Sequence, residues 1–171
     1  MIDDSKIRTT ASHVPILLNI ALRTTGPILE FGCGFYSTLL LHEVACACNR
    51  QLLTTENNRD WLSRFLYLQN KLHTFKFIEN WRNFKEPLKQ NWGLIFIDHH
   101  PPLRRKEDII RLRDNAEYII VHDSDRPLYQ YEKAFHAFKY QYDYTLLDPH
   151  TTVLSNGNNL EFLEKHYENR S

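Results

Sequence analysis

The sequence predicts an α/β fold, a Rossmann-like three-layer sandwich on a seven-stranded, mostly parallel sheet with an antiparallel last strand. Three observations predict it. Short apolar runs alternate with longer amphipathic stretches along most of the chain, the pattern of strands joined by helical crossovers. The first apolar run, Ile28–Phe31, leads straight into Gly32 and Gly34. The last two runs, Tyr142–Leu147 and Thr151–Leu154, are separated only by Asp148, Pro149 and His150. That connection is too short for a right-handed crossover, so the two strands pair antiparallel.

Taken in order, Val14–Leu22 reads as a helix broken by Gly26 and Pro27, and Ile28–Phe31 as a short buried strand. Ser37 caps a helix that carries Leu39, Leu40, His42, Val44 and Ala45 and ends near Asn49. Gln51–Thr55 is the second strand, closed by Glu56, and Trp61, Phe65, Leu68 and Leu72 follow at helical spacing. His73–Ile78 and Leu94–Ile97 are the third and fourth strands, with Asp98 at the end of the fourth. A helix over Lys106–Arg113 leads to a fifth strand, Tyr118–Val121, which ends in His122 and Asp123. A helix over Tyr131–Phe138 precedes the terminal hairpin, and a last helix, Asn159–Tyr167, covers the end of the sheet.

With 171 residues, 42% apolar, the chain supplies one core, and residues 1–171 are read as a single domain. Lysine plus arginine and aspartate plus glutamate both number 21, so no global field draws the protein to nucleic acid or membrane. The apolar runs are too short to cross a bilayer, and Asp3 and Asp4 do not fit a signal peptide, which predicts a soluble, cytoplasmic protein. Cys33, Cys46 and Cys48 lie in apolar surroundings without a paired framework and are expected as reduced thiols. The polar ends, Met1–Thr10 and Glu168–Ser171, are expected to fray.

Beyond the carboxyl end of a parallel strand, a glycine turn brings backbone N–H groups toward a ligand. Gly32 and Gly34 allow that approach, and Glu30 just before them suits a ligand carrying an ammonium better than a pyrophosphate. Glu56, 22 residues after Gly34 at the next strand end, can accept both hydroxyls of a ribose. This order of elements over residues 14–156, with the turn Glu30-Phe31-Gly32-Cys33-Gly34, resembles the class I S-adenosylmethionine-dependent methyltransferases. The resemblance implies that Glu30 lies near the methionine amino group, that Gly32, Gly34 and Ser37 cradle the aminocarboxypropyl chain, and that Glu56 holds the ribose. Trp81 is a candidate to stack on the adenine, with core packing as its ordinary alternative. Tyr36 departs from the pattern, standing where many members have a third glycine.

Asp98-His99-His100-Pro101-Pro102 and His122-Asp123-Ser124-Asp125-Arg126-Pro127 open on the same rim. Asp98, His99 and His122 are the candidate catalytic residues, with Asp98 and His99 the candidates to take a proton from an attacking hydroxyl and Asp98 also a candidate to contact the cofactor. Asp98, Asp123 and Asp125 are candidate ligands for a divalent cation such as magnesium, an arrangement similar to the metal-dependent catechol and sugar O-methyltransferases, although Ser124 departs from it. A zinc site from His99, His100 and His122 is disfavoured because adjacent histidines point apart. The run Ile120–Pro127 also resembles plant O-methyltransferases that act on glucuronoxylan. His122 and Asp125 have the alternative of fixing a loop with Arg126, and Arg104, Arg105 and Lys106 read as a solvated helix start or as an attractor of an anionic substrate. The resemblance implies a methyl transfer to a hydroxyl, preferably of a sugar or glycan, with small-molecule or glycan partners and a homo-oligomer compatible with it. The alternatives are a catalytically inactive subunit, S-adenosylmethionine-binding or purely structural, that partners another enzyme and, opposed by Glu30 and the terminal hairpin, a dinucleotide or nucleotide-sugar enzyme.

Overall fold

A computed structural model describes residues 10–167. Apart from Thr10, the ends expected to fray lie outside the described residues. In chain order the elements are α1 (Val14–Arg23), β1 (Ile28–Phe31), α2 (Ser37–Ala47), β2 (Leu52–Glu56), α3 (Arg59–Ser63), β3 (His73–Phe77), β4 (Trp92–Ile97) and α4 (Pro102–Leu112). They continue with β5 (Ala116–His122), α5 (Glu132–Phe135), β6 (Tyr140–Tyr144), β7 (Thr151–Ser155) and α6 (Glu161–Tyr167). The seven strands form one sheet in the order β3-β2-β1-β4-β5-β7-β6. Strand β7 lies between β5 and β6 and is antiparallel to both, while β1 to β5 pair in parallel.

Strands β1 and β4 are buried along their whole length, as central parallel strands covered on both faces must be. Alternation sends Ile28, Leu94, Phe96 and Ile120 to one face, where they pack beneath Ile16 and Leu17 of α1, Leu41 of α2 and Leu163 of α6. Leu29, Phe31, Ile95 and Ile97 face the other way, against Trp81, Phe84, Ile109 and Leu112 of α4, and Phe135. Glu30 shares the face of Ile28 and so points into a core beneath α2.

Several elements differ in extent from the sequence expectation, for local reasons. The helix expected through Leu72 is α3 followed by a short 3-10 turn at Leu66–Leu68. Asn70 ends it, its Oδ1 accepting the N–H groups of Leu72 and His73 at 2.8 Å each. Helix α4 starts four residues before the expected Lys106, because Pro102 occupies its first position, where a missing N–H costs nothing. Ser37 is the first residue of α2 and not its cap; Tyr36 takes that place. Strand β6 ends at Tyr144, leaving Leu146 and Leu147 exposed. Cys46 and Cys48 are exposed rather than buried, and only Cys33 is inside. No helix among the described residues is long and apolar enough to cross a membrane.

Candidate functional site

The connections run outward in opposite directions from β1 and β4, so the crevice at the carboxyl ends of these two strands is where an open α/β sheet binds its ligand. The turn after β1 lies against the end of β4. Gly32 has φ 87°, and a Cβ there would stand 2.7 Å from His99 Cα and 2.8 Å from the carbonyl of Asp98. Glycine is therefore required by the packing of the two strand ends, whereas the sequence suggested ligand approach as the reason. Gly34 differs. Among the described residues, the only atom that a Cβ would meet within 4 Å is Ser37 Oγ at 3.4 Å, and the residue borders a cavity. Tyr36, in place of a third glycine, has φ −95°, so no glycine is needed there.

Two cavities flank the turn. One, of about 630 Å³, is bordered by Gly34, Ser37, His13, His122 and Asp123. The other, of about 610 Å³, is bordered by Glu56, Asn57, Phe77 and His100. Cys33, Trp61 and Asp98 border both. Trp61 is fixed between them by its Nε1–H, which donates to the Cys33 carbonyl at 2.7 Å. Glu56 accepts from the N–H groups of Asn57 and Asn58 at 2.8 Å and of Cys33 at 3.2 Å, which ties the turn to the end of β2.

Glu30 is completely buried under the turn. Its carboxyl group accepts from Thr54 Oγ1 at 2.7 Å and Thr38 Oγ1 at 3.0 Å, and Thr38 Oγ1 in turn accepts the Gly34 N–H at 2.9 Å. Burial pushes its pKa up to about 7, against the hydrogen bonds from Ser37, Thr54 and Thr38 that favour the charged form. Thr54 Oγ1 also lies 2.9 Å from His73 Nε2, and His73 Nδ1 lies 2.9 Å from His42 Nδ1. Glu30 thus supports the turn from below through Thr38.

Across the crevice, Asp98 meets cations. Its Oδ1 lies 2.9 Å from an Arg105 Nη, and its Oδ2 accepts from His122 Nδ1 at 3.2 Å. The protonation of His122 follows from its other partner. Ser12 Oγ donates to the Pro149 carbonyl at 2.7 Å, so its contact with His122 Nε2 at 3.0 Å must receive a proton from the ring. Both ring nitrogens donate, and His122 is an imidazolium. Burial opposes that charge, but the hydrogen bond to Asp98 and the charges of Asp98 and Asp123 outweigh it and hold the pKa above the ordinary histidine value. Asp98 is held below the usual carboxylate range: burial works against the charge, and His122 and Arg105 overcome it.

Arg105 organises this side. It is buried, donates to the carbonyls of His99 at 2.7 Å and His122 at 3.2 Å, and stands 3.6 Å from Asp123 Oδ2. The solvated helix start expected from Arg104, Arg105 and Lys106 fails at Arg105, which is buried, while Arg104 and Lys106 are partly exposed. The signal was present in the spacing, because Arg105, Asp108, Ile109 and Leu112 fall on one helical stripe and all four are buried. Asp123 sits in the left-handed region with φ 55°, which aspartate tolerates better than most residues.

Three expected residues stand elsewhere. His99 is buried against Phe31 and Trp81, with Nε2 3.2 Å from Asp108 Oδ2, on the side of the strand end away from the cavities, so it is not placed to act as a base. Trp81 packs in the core against Phe31 and Phe84 and donates its Nε1–H to the His100 carbonyl at 2.8 Å, so its core alternative holds. Asp125 accepts the His150 N–H at 3.2 Å and faces Arg126, outside the group of Asp98, His122 and Asp123 whose polar atoms lie within 4.8 Å of one another. A divalent cation does not fit that group, because Arg105 already bridges Asp98 and Asp123 and His122 has no free lone pair.

His13 was not foreseen. It is buried at the start of α1, edge-on to His122 with ring centroids 4.6 Å apart, and among the described residues both its nitrogens lack a hydrogen-bond partner. Burial and the neighbouring His122 charge lower its pKa to about 3, so the ring is neutral. Nothing in Thr10-Ala11-Ser12-His13 marks it in the sequence.

No protein-family model matches the sequence, and no curated protein matches it. Solved structures do. An O-methyltransferase of Streptomyces achromogenes, TomG, involved in tomaymycin synthesis and in complex with S-adenosylmethionine, superposes with a TM-score of 0.59 at 16% identity over 84% of this chain and 80% of its own. The Podospora anserina methyltransferase PaMTH1 bound to S-adenosylhomocysteine gives 0.64 at 14% identity, covering 82% and 76%. An O-methyltransferase of Bacillus cereus, also with S-adenosylhomocysteine, gives 0.61 at 14% identity, covering 82% and 80%. At such identities the likeness establishes architecture: the chain has the Rossmann-like fold of S-adenosylmethionine-dependent methyltransferases.

Proposed function

We propose that this protein binds S-adenosylmethionine across the glycine turn and transfers its methyl group to a hydroxyl. The observation that carries the reading is the pair of cavities sharing Cys33, Trp61 and Asp98, with Glu56 on one and Gly34, Ser37 and the Asp98–His122 pair on the other. Each is of a size to take part of a small molecule. The adenosine occupies the cavity of Glu56, whose carboxylate meets the ribose hydroxyls. The amino acid part lies over Gly34 and Ser37, above the support that Glu30 supplies through Thr38. The sulfonium is then beside Asp98, and its methyl faces His122 and Asp123. Asp98 favours the positive sulfonium electrostatically and fixes His122. We favour a sugar hydroxyl as acceptor. Phe35, half-exposed and set edge-on to Trp61, offers an apolar ring face at the mouth of the first cavity, against which the C–H face of a sugar can pack.

Calorimetric titration with S-adenosylhomocysteine tests the reading. Gly34→Ala separates binding from folding, because among the described residues its added methyl meets only Ser37 Oγ, and it projects where the cofactor chain would lie. Gly34→Ala should melt no lower than the wild type and bind at least about tenfold more weakly, roughly 1.4 kcal/mol. Absence of wild-type binding at millimolar ligand, or an unaffected Gly34→Ala, rules the assignment out.

A further inference from the structure

We propose that His13 receives the acceptor: its imidazole takes a hydrogen bond from the acceptor hydroxyl in the first cavity and then its proton as the new C–O bond forms. This rests on the methyl-transfer reading above. The polar groups around His13 are committed. Asp98 is held by Arg105 and His122, His122 donates through both nitrogens, and Ser12 donates to the Pro149 carbonyl. His13 is buried and, among the described residues, has no partner for either nitrogen, although it borders the cavity.

An unpaired imidazole in the interior is costly, and a phenylalanine would pack on Phe96 and His122 at least as well. Such a group is understandable where a ligand completes it. A neutral imidazole offers one N–H and one lone pair, the complement of a hydroxyl, which also donates once and accepts. A carboxylate could only accept, and the imidazolium of His122 can only donate.

The step balances without a further reactant. A lone pair of the acceptor oxygen forms the bond to the methyl carbon, and the C–S electron pair returns to sulfur, leaving a neutral thioether. The O–H proton passes to the free nitrogen of His13. Oxygen bonded to a transferring methyl group is far more acidic than an alcohol, so a weakly basic imidazole is sufficient and the proton moves late. The burial that makes His13 a weak base also keeps it unprotonated and ready to accept at neutral pH.

The test uses the full chain, with catechol and methyl glucuronoside as hydroxyl probes of aromatic and sugar type. In the complex with S-adenosylhomocysteine, the ¹⁵N resonances of His13 should move on addition of at least one probe. His13→Phe should bind S-adenosylhomocysteine as the wild type does, melt a few degrees higher because an unpaired group has been removed, and abolish the probe's effect. A lower melting temperature for His13→Phe would mean that the ring has a structural partner, and unmoved His13 resonances with both probes would mean that no hydroxyl reaches it; either result overturns the proposal. Failure of the wild type to bind S-adenosylhomocysteine is a separate outcome that removes the methyl-transfer reading beneath it.

Discussion

Two carboxyl groups stand on neighbouring strands, Glu30 within β1 and Asp98 just past β4, and their surroundings drive them in opposite directions. Glu30 is wholly buried and meets only neutral hydroxyls, and its pKa rises to about 7. Asp98 meets Arg105 and His122, and its pKa falls. Hydroxyl donors soften the loss of water around a carboxylate without replacing it, whereas a guanidinium and an imidazolium more than offset it. One acid is thereby suited to hold a turn in place, and the other to remain charged beside a cavity.

The comparison breaks most severely if Arg105 is removed. Arg105→Ala would leave Asp98 and Asp123 facing each other with only His122 between them, and two backbone carbonyls without their donor. Urea unfolding should show a loss of about 3–5 kcal/mol, the range for stripping one partner from a buried ion pair. Arg105→Lys should recover little, since a single ammonium cannot reach all four acceptors that the guanidinium meets. Near wild-type stability of Arg105→Ala would show that the acids are held by something else.

The sheet was legible because its signals are periodic. Buried strands such as Ile28–Phe31 and Leu94–Ile97 are continuous apolar runs, and the short link before Thr151 fixes the antiparallel pairing. Both glycines and both acids around the turn were visible too, but not their causes: Gly32 is required by the backbone of Asp98 and His99, a contact between residues far apart in sequence. The side of Asp98 and His122 was legible only in part. His99 and Asp98 are adjacent in sequence and alternate between faces, so only one of them reaches the cavity. His13 and Ser12 arrive from the opposite end of the chain, and no local pattern could place them against His122.

The next largest effect is a pH dependence carried by Glu30. Its pKa is about 7 in the folded chain against an ordinary value of 4.5, so between these values the folded chain holds a proton that the unfolded chain has released. Stability contributed by this group is therefore lost as pH rises from about 4.5 to 7, by roughly 3 kcal/mol in all. His13 and His73 act oppositely, since both fall from 6.5 to about 3 and the unfolded chain binds the extra protons in that window. Stability from them is lost as pH falls. Glu30→Gln isolates the first effect because the histidines cancel in the difference. Relative to the wild type, the variant should gain about 3 kcal/mol between pH 4.5 and 7; a difference that does not change with pH would place the Glu30 pKa near its ordinary value.

The smallest effect tests whether Glu30 acts on the turn at all. Thr38 Oγ1 is the atom through which it does so, accepting from the Gly34 N–H and donating to the Glu30 carboxyl group. Thr38→Val keeps the shape and removes both bonds, and should cost about 1–2 kcal/mol. With one donor gone, the Glu30 pKa should rise further, carrying the loss of stability to higher pH. The double variant Glu30→Gln/Thr38→Val decides the matter. If the support runs through Thr38, the two substitutions are non-additive by at least about 0.5 kcal/mol, both in unfolding and in S-adenosylhomocysteine affinity. Strict additivity would mean that the carboxyl group and the turn are neighbours without being coupled, and that the cofactor side owes its shape to Gly32 and Glu56 alone.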